Sequence, residues 1–225
     1  MQEGSKQEGG KHEGGEHEAS KQQSAKGGAA EAGTRREMGK SRMEAFSDGV
    51  IAIIITIMVL ELKVPHEATL EALLPLWPLF FAYVLSFVYV GIYWNNHHHL
   101  LQLAQKVDGR ALWANLHLLF WLSLVPFMTN WLGEQHMAAL PMALYGVVLL
   151  MSAIAYDLLV RSLVRLHGPQ SALARAIGRD TKGWVSIVLY AVGVPLSLWQ
   201  PLVGAAFYVG LALVWIRPDP RVERM

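Results

Sequence analysis

Residues 42–60 read RMEAFSDGVIAIIITIMVL, so a short charged stretch runs directly into an uncharged apolar segment. Arg42, Glu44 and Asp48 therefore lie at the mouth of a helix that otherwise favours lipid. A charge beside hydrocarbon is costly, and it persists where it meets a partner, reaches the headgroups or lines a water-filled path. The junction indicates a membrane conduit whose functional residues begin here.

The composition favours the same class of protein. Hydrophobic residues make up 53% of the chain and charged residues 16%, which is too apolar for a soluble domain. We therefore predict an all-α integral membrane protein with the lipid bilayer as its surroundings. The chain has no Cys, which excludes disulfides, thiolate metal sites and cysteine nucleophiles. A formal net charge of +1 argues against nucleic-acid binding.

The first 40 residues differ from the rest of the chain. They are rich in Lys, Glu and Gly and contain no aromatic or β-branched apolar residue, so they cannot bury enough apolar area to offset the entropy of ordering them. We predict a disordered cytoplasmic tail over 1–40, a transmembrane channel domain over 41–217 and a cytoplasmic C-terminal tail over 218–225. The first segment also lacks the apolar core of a signal peptide.

Six segments are apolar enough to cross a membrane. A hydrocarbon core about 30 Å thick requires about 20 mostly apolar helical residues. The candidate spans are residues 43–62, 74–95, 111–132, 138–160, 183–199 and 202–216. The last two are short and are interrupted by Pro195 and Pro201, which predicts one hairpin with poorly marked ends. Five spans are the alternative.

The basic residues predict the orientation of these spans. Lys and Arg are retained on the cytoplasmic side of short loops. Of the 19 Lys and Arg residues, all except Lys63 fall in the N-terminal tail, the second loop, the fourth loop or the C-terminal tail. An odd number of spans would break this alternation, so we predict six spans in the cell membrane with both termini in the cytoplasm. Glu67, Glu71 and Glu134 then form an outer mouth that attracts cations.

The first helix has the pattern of a pore wall. At about 100° per residue, Ile53, Thr56, Ile57 and Leu60 share one stripe. Copies of this helix around an axis would stack an apolar constriction, a hydroxyl ring and two further apolar rings, and such constrictions gate by dewetting. The alternative is an ordinary lipid-facing helix whose Thr56 hydroxyl bonds to its own backbone.

The charged residues before this stripe need partners on other helices. Arg42 and Asp48 are six residues apart, about 240° around the axis, so they cannot pair within one straight helix. Ser47 or Asp48 can instead bridge to the polar end of the second helix. The candidate partners there are Asn95, His97, His98 and His99.

The three consecutive histidines leave three interpretations open. They can form structural hydrogen bonds, sense pH or bind a metal. Adjacent helical residues point about 100° apart, so at most two converge, and we predict structural hydrogen bonding and no metal. The chain also lacks phosphate-binding and nucleophile motifs, so we expect neither a cofactor nor an enzyme.

The motif Arg-x-x-x-Phe-Ser-Asp is intact at Arg42, Phe46, Ser47 and Asp48, and ELKVP follows at 61–65. With YWNNHHHL at 93–100 and LHLLFWLSLVPFMTNWLGE at 116–134, it resembles the transmembrane protein 175 family, the potassium channels of endolysosomes and their prokaryotic relatives. The likeness covers residues 41–217.

This resemblance implies a homotetramer of six-helix subunits, with the first helix of each lining a central pore. The pore would pass potassium and other monovalent cations, with potassium preferred over sodium. Ile53 corresponds to the narrow constriction, Thr56 to the hydroxyl layer linked to selectivity, and Ile57 and Leu60 to the same wall. The motif residues would then have a structural or gating role.

A secondary transporter is the competing interpretation. It would work as a monomer or dimer and use Asp48 and the histidines as a proton-coupled site. Inverted repeats and broken helices are typical of that class, and no such repeat is visible in the sequence.

Overall fold

The computed structural model describes residues 39–178 and 181–216, and within them the regular structure is entirely helical. A single 3₁₀ turn, Leu74–Leu76, precedes the second helix. The α-helices, in chain order, are α1 Gly39–Leu60, α2 Trp77–Leu103, α3 Gly109–Ser123, α4 Val125–Glu134, α5 Ala139–His167, α6 Ala172–Ile177, α7 Thr181–Trp199 and α8 Pro201–Ile216.

Five helical segments are long and apolar enough to cross a membrane. They are Gly39–Leu60, Leu74–Leu103, Gly109–Glu134, Ala139–His167 and Lys182–Trp199, whereas Pro201–Ile216 is shorter. The prediction of an all-α membrane architecture is thereby confirmed. The tails predicted over 1–40 and 218–225 lie outside the described residues, apart from Gly39 and Lys40, which belong to α1.

The second helix is longer than predicted, because it continues past residue 95 to Leu103. Two of its polar side chains form bonds within the helix: Asn96 Nδ2 donates to the Ile92 carbonyl over 2.9 Å, and Gln102 Nε2 lies 2.8 Å from His98 Nε2. The three histidines are therefore inside the helix and not at its end.

The third span is interrupted, which the sequence analysis did not predict. It consists of α3 and α4 with Leu124 between them. Pro126 has no N–H to give to the Leu122 carbonyl, so the regular bonding pattern fails at this point. Leu124 N bonds instead to the Trp121 carbonyl at 3.2 Å, and the Ser123 hydroxyl bonds to the Phe120 carbonyl at 2.7 Å.

The two prolines near the C-terminus behave differently from the prediction. Pro195 lies inside α7 without ending it, and Ser197 Oγ donates to the Gly193 carbonyl over 2.8 Å in the same region. Pro201 is the first residue of α8, a position where the missing N–H costs no helical hydrogen bond. α7 and α8 pack against each other as the predicted hairpin.

The helices pack around α5, which contacts α3 on one side and α7 on another, while α2 contacts α4 and α8. Contacts between loops join the helix ends. His167, the last residue of α5, accepts hydrogen bonds from the backbone N–H groups of Gln105 and Lys106 through Nε2. Lys63, which follows the end of α1, pairs with Glu134 at the end of α4 and so joins these two helix ends.

Candidate functional site

One face of α1 is exposed on the subunit, and it is the predicted stripe. Ile53, Ile57 and Leu60 expose 57%, 40% and 80% of their surface, and Thr56 is exposed with them. The opposite face of the helix is buried against the rest of the chain at Met43, Ser47, Ile51, Ile54 and Met58. The four predicted stripe residues therefore share a free surface of the subunit.

The Thr56 hydroxyl is oriented by its own helix. Its Oγ1 donates to the Ile53 carbonyl over 2.9 Å. The alternative interpretation of α1 as a lipid-facing helix also expects this bond to the backbone. The bond, however, uses only the hydroxyl proton. The two lone pairs of Oγ1 remain as acceptors on the exposed face, so the bond fixes the oxygen without neutralising it.

A chain of buried hydrogen bonds holds the other face of α1. His97 Nε2 lies 2.7 Å from Asn115 Oδ1, Asn115 Nδ2 donates to Ser47 Oγ over 2.9 Å, and Ser47 Oγ donates to the Met43 carbonyl over 2.8 Å. Since Asn115 Oδ1 can only accept, His97 Nε2 carries the proton of this bond. Side chains from α1, α2 and α3 thus meet in one network, which we name the anchor network: Ser47, His97 and Asn115.

Two further contacts join α1 to α2 beside the anchor network. Trp94 Nε1 donates to Asp48 Oδ1 over 3.0 Å, and His98 Nδ1 lies 3.5 Å from Glu44 Oε1. The rings of Trp94 and His98 stack with their centroids 5.8 Å apart. Asp48 thus contacts α2 directly through Trp94, whereas Ser47 is linked to His97 of α2 only through Asn115 of α3.

The remaining predicted residues are more exposed or contact only their own helix. Arg42 and Phe46 lie on the exposed side of α1, and Phe46 exposes 54% of its surface. Asn95 is exposed, and the His99 ring contacts His98 at a centroid distance of 5.8 Å. The structure therefore divides the motif, with Ser47 and Asp48 facing the subunit and Arg42 and Phe46 facing away.

The geometry does not group these side chains as metal ligands. Within the described part of the chain, no set of three or more His, Asp or Glu side chains lies close enough to hold a metal ion. His97 contacts Asn115 of α3 and His98 contacts Glu44 of α1, so the two side chains point to different helices.

The sequence did not predict the role of Asn115 or the partner of Glu44. Asn115 is the central member of the anchor network, and Glu44 is the carboxylate beside His98. The third span contains two asparagines, Asn115 and Asn130, and an amide in an apolar span is a signal because a buried amide needs hydrogen-bond partners. Glu44 is part of the charged stretch that opens the first helix, one turn before Asp48.

Comparison with known proteins matches this arrangement to one family. The family model described as "Endosomal/lysosomal potassium channel TMEM175" matches residues 42–126. A protein named as a potassium channel in Chryseobacterium sp. is 54% identical over 187 residues, which cover 83% of this chain and 97% of that protein. The chain belongs to the TMEM175 family.

Two further relatives agree with the assignment to the TMEM175 family. A potassium channel of Streptomyces collinus is 35% identical over 176 residues, covering 73% of this chain and 83% of that protein. The crystal structure of a lysosomal potassium-selective channel TMEM175 homolog from Chamaesiphon minutus matches with a TM-score of 0.69 and 30% identity, covering 80% of this chain and 97% of that one. The residues that match the family model contain the whole anchor network and the α1 stripe.

The substitution Asn115→Leu tests the anchor network. A leucine side chain cannot form either hydrogen bond of the amide, so Ser47 and His97 would stay buried without this partner. We expect the free energy of unfolding to fall by about 1–3 kcal/mol. The thermal midpoint of detergent-solubilised protein, followed by Trp fluorescence, measures the change. The control is Asn95→Leu on the exposed surface of α2, and equal midpoints for the two variants would contradict the assignment.

Proposed function

We propose that the protein is a potassium-permeable cation channel that conducts passively through a pore lined by α1. The observation that carries this proposal is the exposed, uncharged stripe at Ile53, Thr56, Ile57 and Leu60, on a helix whose opposite face is anchored. An anchored helix cannot rotate to hide the stripe, so the stripe meets either lipid or a path shared by several subunits. Because the relatives are named as potassium channels, we propose that the stripe lines an ion path.

A pore of this kind requires several copies of α1. Each chain supplies a single stripe, so a closed ring needs a cyclic assembly, and we propose a homotetramer. In this assembly α8 is the sixth span. Its 16 residues extend about 24 Å, short of a core of about 30 Å, and the gap is small enough for flanking residues to reach the interface.

The loop contacts support the proposed orientation in the cell membrane. His167 joins the segment at Gln105 and Lys106 to the end of α5, which brings two basic loops to the same side. The Lys63–Glu134 pair joins helix ends on the other side, where the basic residue is neutralised. Because basic loops are retained in the cytoplasm, we propose that both termini lie there.

The chemistry of the stripe suggests how the pore works. Rings of Ile53, Ile57 and Leu60 would form apolar constrictions that pass ions only when they are wet. A ring of Thr56 hydroxyls between them would offer oxygen lone pairs in place of part of an ion's hydration shell. This arrangement needs no cofactor, since the permeant cation is the only ligand.

The same contacts disfavour the proton-coupled transporter. That mechanism needs Asp48 and the histidines free to exchange protons with a passage. Asp48 instead accepts a hydrogen bond from Trp94, and His97 is 1% exposed inside the anchor network. These groups are arranged to hold helices together.

Potassium flux in liposomes tests the proposal. Purified protein in vesicles with an outward potassium gradient should dissipate that gradient without any energy source, because conduction is passive. A potassium-sensitive electrode measures the release, with empty vesicles as the control. Release no faster than from empty vesicles, with the folded assembly verified by size-exclusion chromatography, would contradict the proposal.

Replacing Ile53 by Asn tests the constriction. An amide ring at this level binds water, so we expect the single-channel potassium conductance to rise about threefold or more. Planar-bilayer recording gives the conductance. The control is Val84→Asn on α2, because Val84 and Ile53 are both 57% exposed. A conductance that is unchanged by Ile53→Asn, or raised equally by both variants, would reject Ile53 as the constriction.

Replacing Thr56 by Val tests the hydroxyl layer. Valine keeps the shape of the side chain and removes its oxygen, so we expect the potassium-to-sodium permeability ratio to fall toward one. The reversal potential with potassium on one side and sodium on the other reports this ratio. Thr56→Ser keeps the hydroxyl and should keep the selectivity, and an unchanged reversal potential in Thr56→Val would refute the role.

A further inference from the structure

A groove runs along the subunit between α1 and the interrupted third span. We name it the outer groove, and its walls include Ile53, Ile57, Glu61, Ser123, Phe127 and Asn130. Two of these residues, Ile53 and Ile57, also belong to the exposed stripe of α1. A solute in the outer groove would therefore lie directly beside the proposed constriction.

The outer groove has room for a hydrated ion. Its empty space is about 860 Å³, including the part open to solvent. A water molecule occupies about 30 Å³ of liquid volume, so a cation fits with its first shell of water. The groove therefore does not require the ion to lose its hydration on entry.

The polar groups of the outer groove favour a cation. Among the described residues that line it, Glu61 is the one ionisable side chain, and Ser123 and Asn130 add hydroxyl and amide groups. Asn130 Oδ1 is buried and accepts no hydrogen bond within the described part of the chain. A buried acceptor without a donor is a group that ordered water or an ion can satisfy, and this one belongs to a residue that lines the groove.

Lys63 lies two residues after Glu61 but forms its ion pair with another carboxylate. It pairs with Glu134, the last residue of α4, and this hydrogen bond is the largest cause that raises the pKa of Lys63 above its usual value. The charge of Glu134 raises that pKa further, and Glu61 adds a smaller contribution. Lys63 therefore stays protonated at neutral pH, and its side chain pairs with Glu134 and not with Glu61.

We infer that Glu61 makes the outer groove a collecting site for monovalent cations beside the constriction, and that the Lys63–Glu134 pair limits how negative this site becomes. The inference rests on the proposed channel function. It adds a residue that concentrates the permeant ion to those that form the pore wall. Four subunits would bring four Glu61 carboxylates to one mouth, so their potentials add.

Single-channel recording at two salt concentrations tests this inference. At about 20 mM potassium chloride, we expect Glu61→Gln to lower the conductance about threefold, since the charge that concentrates potassium is lost. Lys63→Gln should raise it about twofold, because Glu134 is then no longer neutralised. At about 1 M salt the Debye length is about 3 Å, so both differences should nearly vanish.

The control is Glu61→Asp, which keeps the charge and should keep the wild-type conductance at both concentrations. A conductance at the lower concentration that is unaffected by Glu61→Gln would overturn the inference and leave the channel function standing. An effect of Glu61→Gln that is equally large at the higher concentration would also overturn it, because that result indicates a structural role. Absence of conduction by the wild-type protein would refute both the inference and the proposed function.

Discussion

The rotation of α1 about its own axis is the constraint on which the rest of the structure depends. The anchor network sets this rotation, because Asn115 bonds to Ser47 on one side and to His97 on the other. Hydrogen bonds of this kind are directional, and in an apolar surrounding their loss leaves polar groups without partners. Apolar contacts alone would allow neighbouring rotations of the helix at similar free energy. The anchor network excludes them and presents one stripe.

The two faces of α1 have different roles. Ser47 and Asp48 use their polar groups against α2 and α3, whereas Ile53 is exposed and the Thr56 hydroxyl bonds to the Ile53 carbonyl of its own helix. This division explains why charged residues persist next to an apolar segment. The polar residues fix the helix, and the uncharged face that they leave exposed becomes available to an assembly.

The sequence was sufficient to predict the stripe and the need for partners. The period of the helix placed Ile53 and Thr56 on one face, and the cost of a charge near lipid predicted a bridge from Asp48 to α2. Hydropathy did not predict that α2 continues to Leu103, because the polar run at residues 95–99 interrupts the apolar pattern before Leu100 and Leu101, which are buried. It also could not choose Asn115, since a helix pattern does not say which polar side chain on a neighbouring helix comes within bonding distance. The sequence also did not decide the interruption at Leu124, because a proline does not by itself end a helix: Pro195 lies inside α7.

A structure of the particle assembled in lipid, at a resolution that shows side chains, tests the central claim most directly. The quantity to measure is the direction of Ile53 and Thr56 relative to the symmetry axis. Four copies of α1 should surround that axis, with both side chains directed at a water-filled path. Ile53 and Thr56 directed outward at acyl chains, in an assembly with the anchor network intact, would contradict this claim.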